Sequence, residues 1–151
     1  GWNDTFVDGK EFDTWHMRDC TQEYAGPVES AAPGSASFRV DWKDNEGKTF
    51  IEETRTVAAS EAGGVRLFDF TSTVTAIGHP IQFRGDLQHA GMQIRMANEV
   101  SEHEDTTSYI LPAGTVEEDD DAVPGAWWAC ASVEVGGKRY WVLHMTGPDL
   151  K

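Results

Sequence analysis

Ser35-Ala36-Ser37-Phe38-Arg39-Val40-Asp41-Trp42-Lys43-Asp44-Asn45-Glu46-Gly47-Lys48-Thr49-Phe50-Ile51-Glu52-Glu53-Thr54-Arg55-Thr56-Val57 reads as two strands joined by a turn. Strand side chains point alternately to the two faces. Residues 35–42 alternate in this way, with Phe38, Val40 and Trp42 on one side. Asp44-Asn45-Glu46-Gly47 is a turn, because Asn, Asp and Gly tolerate positive φ. Residues 48–57 form the return strand of the hairpin. On it Glu53 and Arg55 share one face, and Glu52 and Thr54 the other.

The same period continues outward. Glu61-Ala62-Gly63-Gly64 is the next turn, and residues 65–77 form a long strand rich in Thr, Val and Phe. Gly78-His79-Pro80 breaks it, and residues 81–84 form a short strand. Residues 107–111 are extended, and residues 127–135 and 138–145 form a second hairpin through Gly136-Gly137. Nearer the N-terminus, residues 12–21 read as a strand and residues 25–34 as a Pro/Gly/Ala/Ser loop. Residues 101–105 read as an acidic polar loop. The pattern contains no long helix, internal repeat or domain boundary. It predicts an all-β fold, an antiparallel β-sandwich forming one domain over residues 1–151.

Composition narrows the function. A length of 151 residues with 6 Trp, 3 Tyr and 7 Phe supplies a substantial core. The net charge of −14 argues against nucleic acid and against anionic membranes, both of which select basic surfaces. A small neutral ligand fits better. No apolar run reaches the length of a membrane span, and the sequence shows neither a signal peptide nor an initiator Met. Cys20 and Cys130 read as free buried thiols, with pairing in an exported protein as the alternative.

The most site-like segment is Gly85-Asp86-Leu87-Gln88-His89-Ala90-Gly91-Met92-Gln93-Ile94-Arg95-Met96-Ala97-Asn98-Glu99. Read as a strand over residues 88–100, it puts Ala90, Met92, Ile94 and Met96 on one face. His89, Gln93, Arg95 and Glu99 fall on the other, around Gly91, as a polar cleft lining would; a solvated, salt-bridged outer face is the alternative. His89 is the candidate acid/base group and Arg95 a hydrogen-bonding anchor. Glu99 is the candidate catalytic carboxylate, and Gln88 and Gln93 are assigned to substrate binding. In the pair Trp127-Trp128 a strand turns one ring inward and one outward; Trp128 is assigned to stacking on a sugar ring, against ordinary packing as the alternative. Glu53 is a second carboxylate that could pair with Glu99 at the separations used by glycosidases.

Other features are weaker. The run Glu117-Glu118-Asp119-Asp120-Asp121 is contiguous and lacks the alternating spacing of calcium loops, so it reads as a solvated loop. His16 reads as partly buried, His79 as part of a turn, His103 as part of the acidic loop and His144 as the end of the last strand. No metal-ligand spacing, nucleophile elbow, P-loop or dinucleotide fingerprint occurs, and no metal or cofactor is expected.

Residues 85–95 resemble the central motif of the PmoA-like family of unknown function, in particular its planctomycete-type members. Trp2-Asn3-Asp4 with Phe12-Asp13-Thr14-Trp15-His16-Met17 resembles another segment of that family. Trp42 with Gly47-Lys48 and Glu52-Glu53-Thr54-Arg55 resembles its hairpin, and residues 127–140 its late hairpin. The resemblance implies a galactose-mutarotase-like β-supersandwich and a carbohydrate-related role, with His89 alone falling on a motif position. It does not imply methane oxidation, since the sequence has neither a copper-ligand set nor a membrane helix. The family's His-His-Arg-Gly-type start and its later Arg- and Asp-rich segment are not present, so the chain reads as an internal fragment. The expected function is a carbohydrate-related, enzyme-like domain with a polar cleft on one sheet face. The alternative is a non-catalytic glycan- or protein-binding sandwich.

Overall fold

The computed structural model describes residues 2, 4–29, 32–85, 92–115 and 126–146. The chain is mostly antiparallel β-structure, in two compact units covering residues 1–91 and 92–151.

In the first unit, strands β1 (Asp4–Val7), β2 (Lys10–Asp13), β3 (Cys20–Val28), β4 (Ser35–Asp44), β5 (Thr49–Ala62), β6 (Val65–Ala76) and β7 (Ile81–Arg84) form two sheets. One has three strands in the order β2-β1-β7, the other four in the order β3-β4-β5-β6. Every pairing is antiparallel. The β4–β5 turn is held by Asp44: its Oδ1 accepts from the backbone N–H groups of Glu46 (3.0 Å) and Lys48 (2.9 Å). Gly63 and Gly64 make the β5–β6 turn at φ 59° and 80°, a left-handed pair that glycine adopts without a Cβ clash.

The two sheets bury their facing sides against each other as a β-sandwich. Val7 and Phe12 come from the smaller sheet, and Cys20, Val40, Trp42, Phe50 and Ile51 from the larger. Phe12 stacks on Phe50 at a centroid distance of 4.6 Å, and Phe83 and Trp42 make a T-shaped pair at 6.3 Å. Burying each of these large side chains contributes roughly 1.5–3 kcal/mol. The buried hydroxyls of Thr5 and Thr14 bond each other at 3.1 Å, and Thr14 also donates to the Trp2 carbonyl at 2.6 Å.

The second unit holds α1 (Asn98–Glu102), β8 (Ser108–Ile110), β9 (Trp128–Val135) and β10 (Lys138–Met145), with sheet order β10-β9-β8. Val100 of α1 packs on Ala131 and Val133, joined by Met96 and Val135.

Four local expectations are corrected. Residues 92–97 belong to no strand or helix and α1 follows them, so the described part of residues 88–100 is not a strand. A strand needs a ladder partner; here Val100 is buried on β9 as a helical residue instead. The expected strand over residues 12–21 is two strands around a reversal. Asp13 ends β2 by accepting the backbone N–H groups of Trp15 (3.2 Å) and His16 (2.8 Å). The Pro/Gly segment is not all loop, since β3 runs through Pro27 to Val28. β3 is an edge strand, where proline's missing N–H is tolerated, and a bulge between Tyr24 and Gly26 absorbs the irregularity. The 101–105 loop is the end of α1 and a short 3-10 turn.

Candidate functional site

The feature that stands out chemically is a buried carboxylate on the inner face of the four-stranded sheet. Glu53 on β5 is 4% exposed. Register places it opposite Val40 on β4 and Val74 on β6, and places Arg55 opposite Phe38 and Ser72. Glu53 Oε1 accepts from Arg55 Nε (2.8 Å) and Ser72 Oγ (2.7 Å). Its Oε2 accepts from Trp42 Nε1 (2.8 Å) and Arg55 Nη2 (2.8 Å). Arg55 therefore grips the carboxylate with two nitrogens, the strong geometry for this ion pair. Arg55 Nη2 also donates to Gln22 Oε1 of β3 at 3.0 Å. Four strands thus contribute one polar cluster.

Burial alone would raise the Glu53 pKa; hydrogen bonds from Arg55, Ser72 and Trp42 and the charge of Arg55 outweigh it and hold the carboxyl below its usual range. A carboxyl whose folded pKa is depressed stabilises the fold above its unfolded pKa. That stabilisation disappears as pH falls through the folded value. The chain is therefore expected to lose stability on acidification through and below the ordinary glutamate range. Glu53→Gln should flatten that part of the profile, read by chemical denaturation at successive pH values.

The cluster sits where cover ends. Toward one end of the sheet Trp42 and Ile51 are buried. Toward the other, the same face carries Val57, Phe70 and Phe68, and the edge strand β3 carries Tyr24 level with Glu53; all are exposed, Tyr24 at 68% and Phe70 at 43%. Tyr24 packs tilted against Phe38 at 6.1 Å. Arg55 lies between, and its Nη1 has no hydrogen-bond partner among the described residues. An unengaged guanidinium edge beside exposed rings can hydrogen-bond a ligand's oxygens while the rings take its apolar surface.

Of the other residues singled out in the sequence, Gln88 and His89 lie outside the described residues, as does the acidic run at 117–121. Gln93 and Arg95 are exposed in the extended segment before α1. Glu99 is in the first turn of α1, and its two oxygens accept the Gly136 backbone N–H at 2.9 and 3.1 Å, tying α1 to the β9–β10 turn. Because α1 replaces the expected strand, face alternation no longer relates Glu99 to Arg95. Trp128 opens β9, half-buried, opposite Met145, with Trp127 edge-on at 6.3 Å. Glu53 and Glu99 belong to different units. His16 is exposed and bonded to Asp13, not partly buried. Both cysteines are free, Cys20 buried and Cys130 half-buried. Among the described residues no group of three or more His, Cys, Asp or Glu is placed to hold a metal ion, and no helix is long and apolar enough to cross a membrane.

Glu53 and Arg55 were visible in the sequence as a same-face pair. Gln22, Ser72 and Tyr24 join them only through register, with Ser72 19 residues from Glu53 and Gln22 33 from Arg55 along the chain, so no local motif could announce them.

Fold and site define an antiparallel β-sandwich with a charged cluster at the margin of its core. A model of a family of unknown function (DUF6807) matches residues 1–151, and the chain belongs to that family. No match was found among curated proteins or among solved structures.

Proposed function

We propose that this is a carbohydrate-related domain that binds a neutral sugar on the open end of its larger sheet. The observation that carries the reading is the juxtaposition of Arg55, half-buried and fixed by Glu53, with the exposed rings of Tyr24 and Phe70 on one face. Sugars offer hydroxyl oxygens to such a donor and an apolar C–H face to such rings. Glu53 and Arg55 cancel in charge, and the chain's −14 disfavours anions, nucleic acid and anionic membranes, so the ligand is uncharged. Binding rather than turnover is the reading for this face, because donors already occupy both oxygens of Glu53. The proposal includes kinship with the PmoA-like and galactose-mutarotase-like domains, supported by the sequence runs that resemble them.

Titration calorimetry against neutral oligosaccharides of several linkages tests this. Tyr24→Ala and Phe70→Ala remove exposed rings, so they should leave the fold intact. Each is expected to weaken binding roughly three- to tenfold, the usual worth of one aromatic contact. Unchanged affinity in both variants would rule out this face.

A further inference from the structure

A separate group of side chains lies in the reversal between β2 and β3. His16 Nδ1 is 2.9 Å from Asp13 Oδ2. The other oxygen of Asp13 takes the backbone N–H groups of Trp15 and His16, so the carboxylate cannot turn away from the ring. Those bonds lower the Asp13 pKa: the backbone N–H of His16 is the largest cause and outweighs the opposing effect of burial, with the His16 side chain adding to it. An ionised carboxylate on Nδ1 makes Nδ1 the protonated nitrogen and leaves the lone pair on Nε2. The His16 side chain is 60% exposed. Arg18 Nε lies 3.6 Å from the same Asp13 oxygen.

The surrounding backbone is held in a costly shape. Met17 and Asp19 both have left-handed φ, 55° and 60°, in a chain where Asp8 is the only other described non-glycine residue with positive φ. Asp19 is anchored from the β4–β5 turn by Asn45 Nδ2 at 3.0 Å, and Arg18 N–H donates to the Asp13 carbonyl at 3.0 Å. The turn is thus fixed at several points, and the groups it presents to solvent include an oriented imidazole.

We propose that Asp13 and His16 form a general-base pair that hydrolyses solvent-accessible carboxylic esters. This site is separate from the sheet face and does not depend on the sugar-binding reading. His16 Nε2 takes a proton from water as the water oxygen bonds to the ester carbonyl carbon. Asp13 stabilises the imidazolium. The intermediate then collapses, the bond from carbonyl carbon to alcohol oxygen breaks, and the imidazolium proton passes to the departing alkoxide. The products are one carboxylic acid and one alcohol, and the histidine ends as it began.

The test uses the full chain with 4-nitrophenyl acetate as probe. His16→Gln is expected to lower the rate above buffer at least tenfold, with an unchanged melting curve, and Asp13→Asn to lower it about tenfold with His16 still present. His103→Gln should leave it unchanged. Free imidazole should restore part of the rate of His16→Ala, which loss of a merely structural histidine would not allow. A wild-type rate equal to buffer, a His16→Gln rate within twofold of wild type, or equal losses in the His16 and His103 variants would each overturn the proposal.

Discussion

Glu53→Ala is expected to destabilise the chain by about 3–5 kcal/mol, the range seen when one partner of a buried ion pair is removed. The reason is what stays behind. Arg55 loses its carboxylate, and Trp42 Nε1 loses its acceptor at a site where Trp42 is 2% exposed, whereas Ser72 Oγ, on an exposed residue, can turn to water. An unsatisfied buried donor costs roughly 1–3 kcal/mol by itself. Urea denaturation followed by tryptophan fluorescence measures the effect, and a loss below about 1 kcal/mol, the range of an exposed pair, would mean that the cluster is solvated.

Trp42→Ala is the second large effect. Trp42 is 2% exposed, meets Phe83 in a T-shaped contact and donates to Glu53 Oε2. Truncating a buried Trp costs about 3–5 kcal/mol, and the carboxylate oxygen also loses a donor. Trp42→Phe keeps most of the ring volume but not the N–H, so it separates packing from hydrogen bonding. Because Trp42 and Glu53 share one bond, their substitutions should not add. A double-mutant cycle is expected to give a coupling of about 0.5–3 kcal/mol, and additive losses would contradict the direct contact.

The strands were legible wherever sequence supplied both alternation and a turn. Asp44 to Gly47, Gly63-Gly64 and Gly136-Gly137 marked the three hairpins that the structure contains at those places. Alternation failed at Met92, Ile94 and Met96, because the same pattern suits a segment outside any sheet, and of these only Met96 joins a core. The Asp13 reversal was hidden for a different reason. It depends on a side chain capping backbone N–H groups and on left-handed Met17 and Asp19, residue types that carry no turn preference as strong as glycine's. The candidate site was half visible. Two of its charges are neighbours on one strand, and the groups that fix and surround them come from three other strands whose register the sequence does not state.

Sugar binding at the open end of the larger sheet is a proposal that can be read residue by residue. Amide and side-chain NMR shifts recorded during titration with a binding oligosaccharide test it most directly. Perturbations are expected to concentrate on Gln22, Tyr24, Phe38, Arg55, Phe70 and Ser72, with the Arg55 guanidinium signals among those that move. Perturbations confined to the unit of residues 92–151, or no perturbation with any neutral sugar, would contradict it.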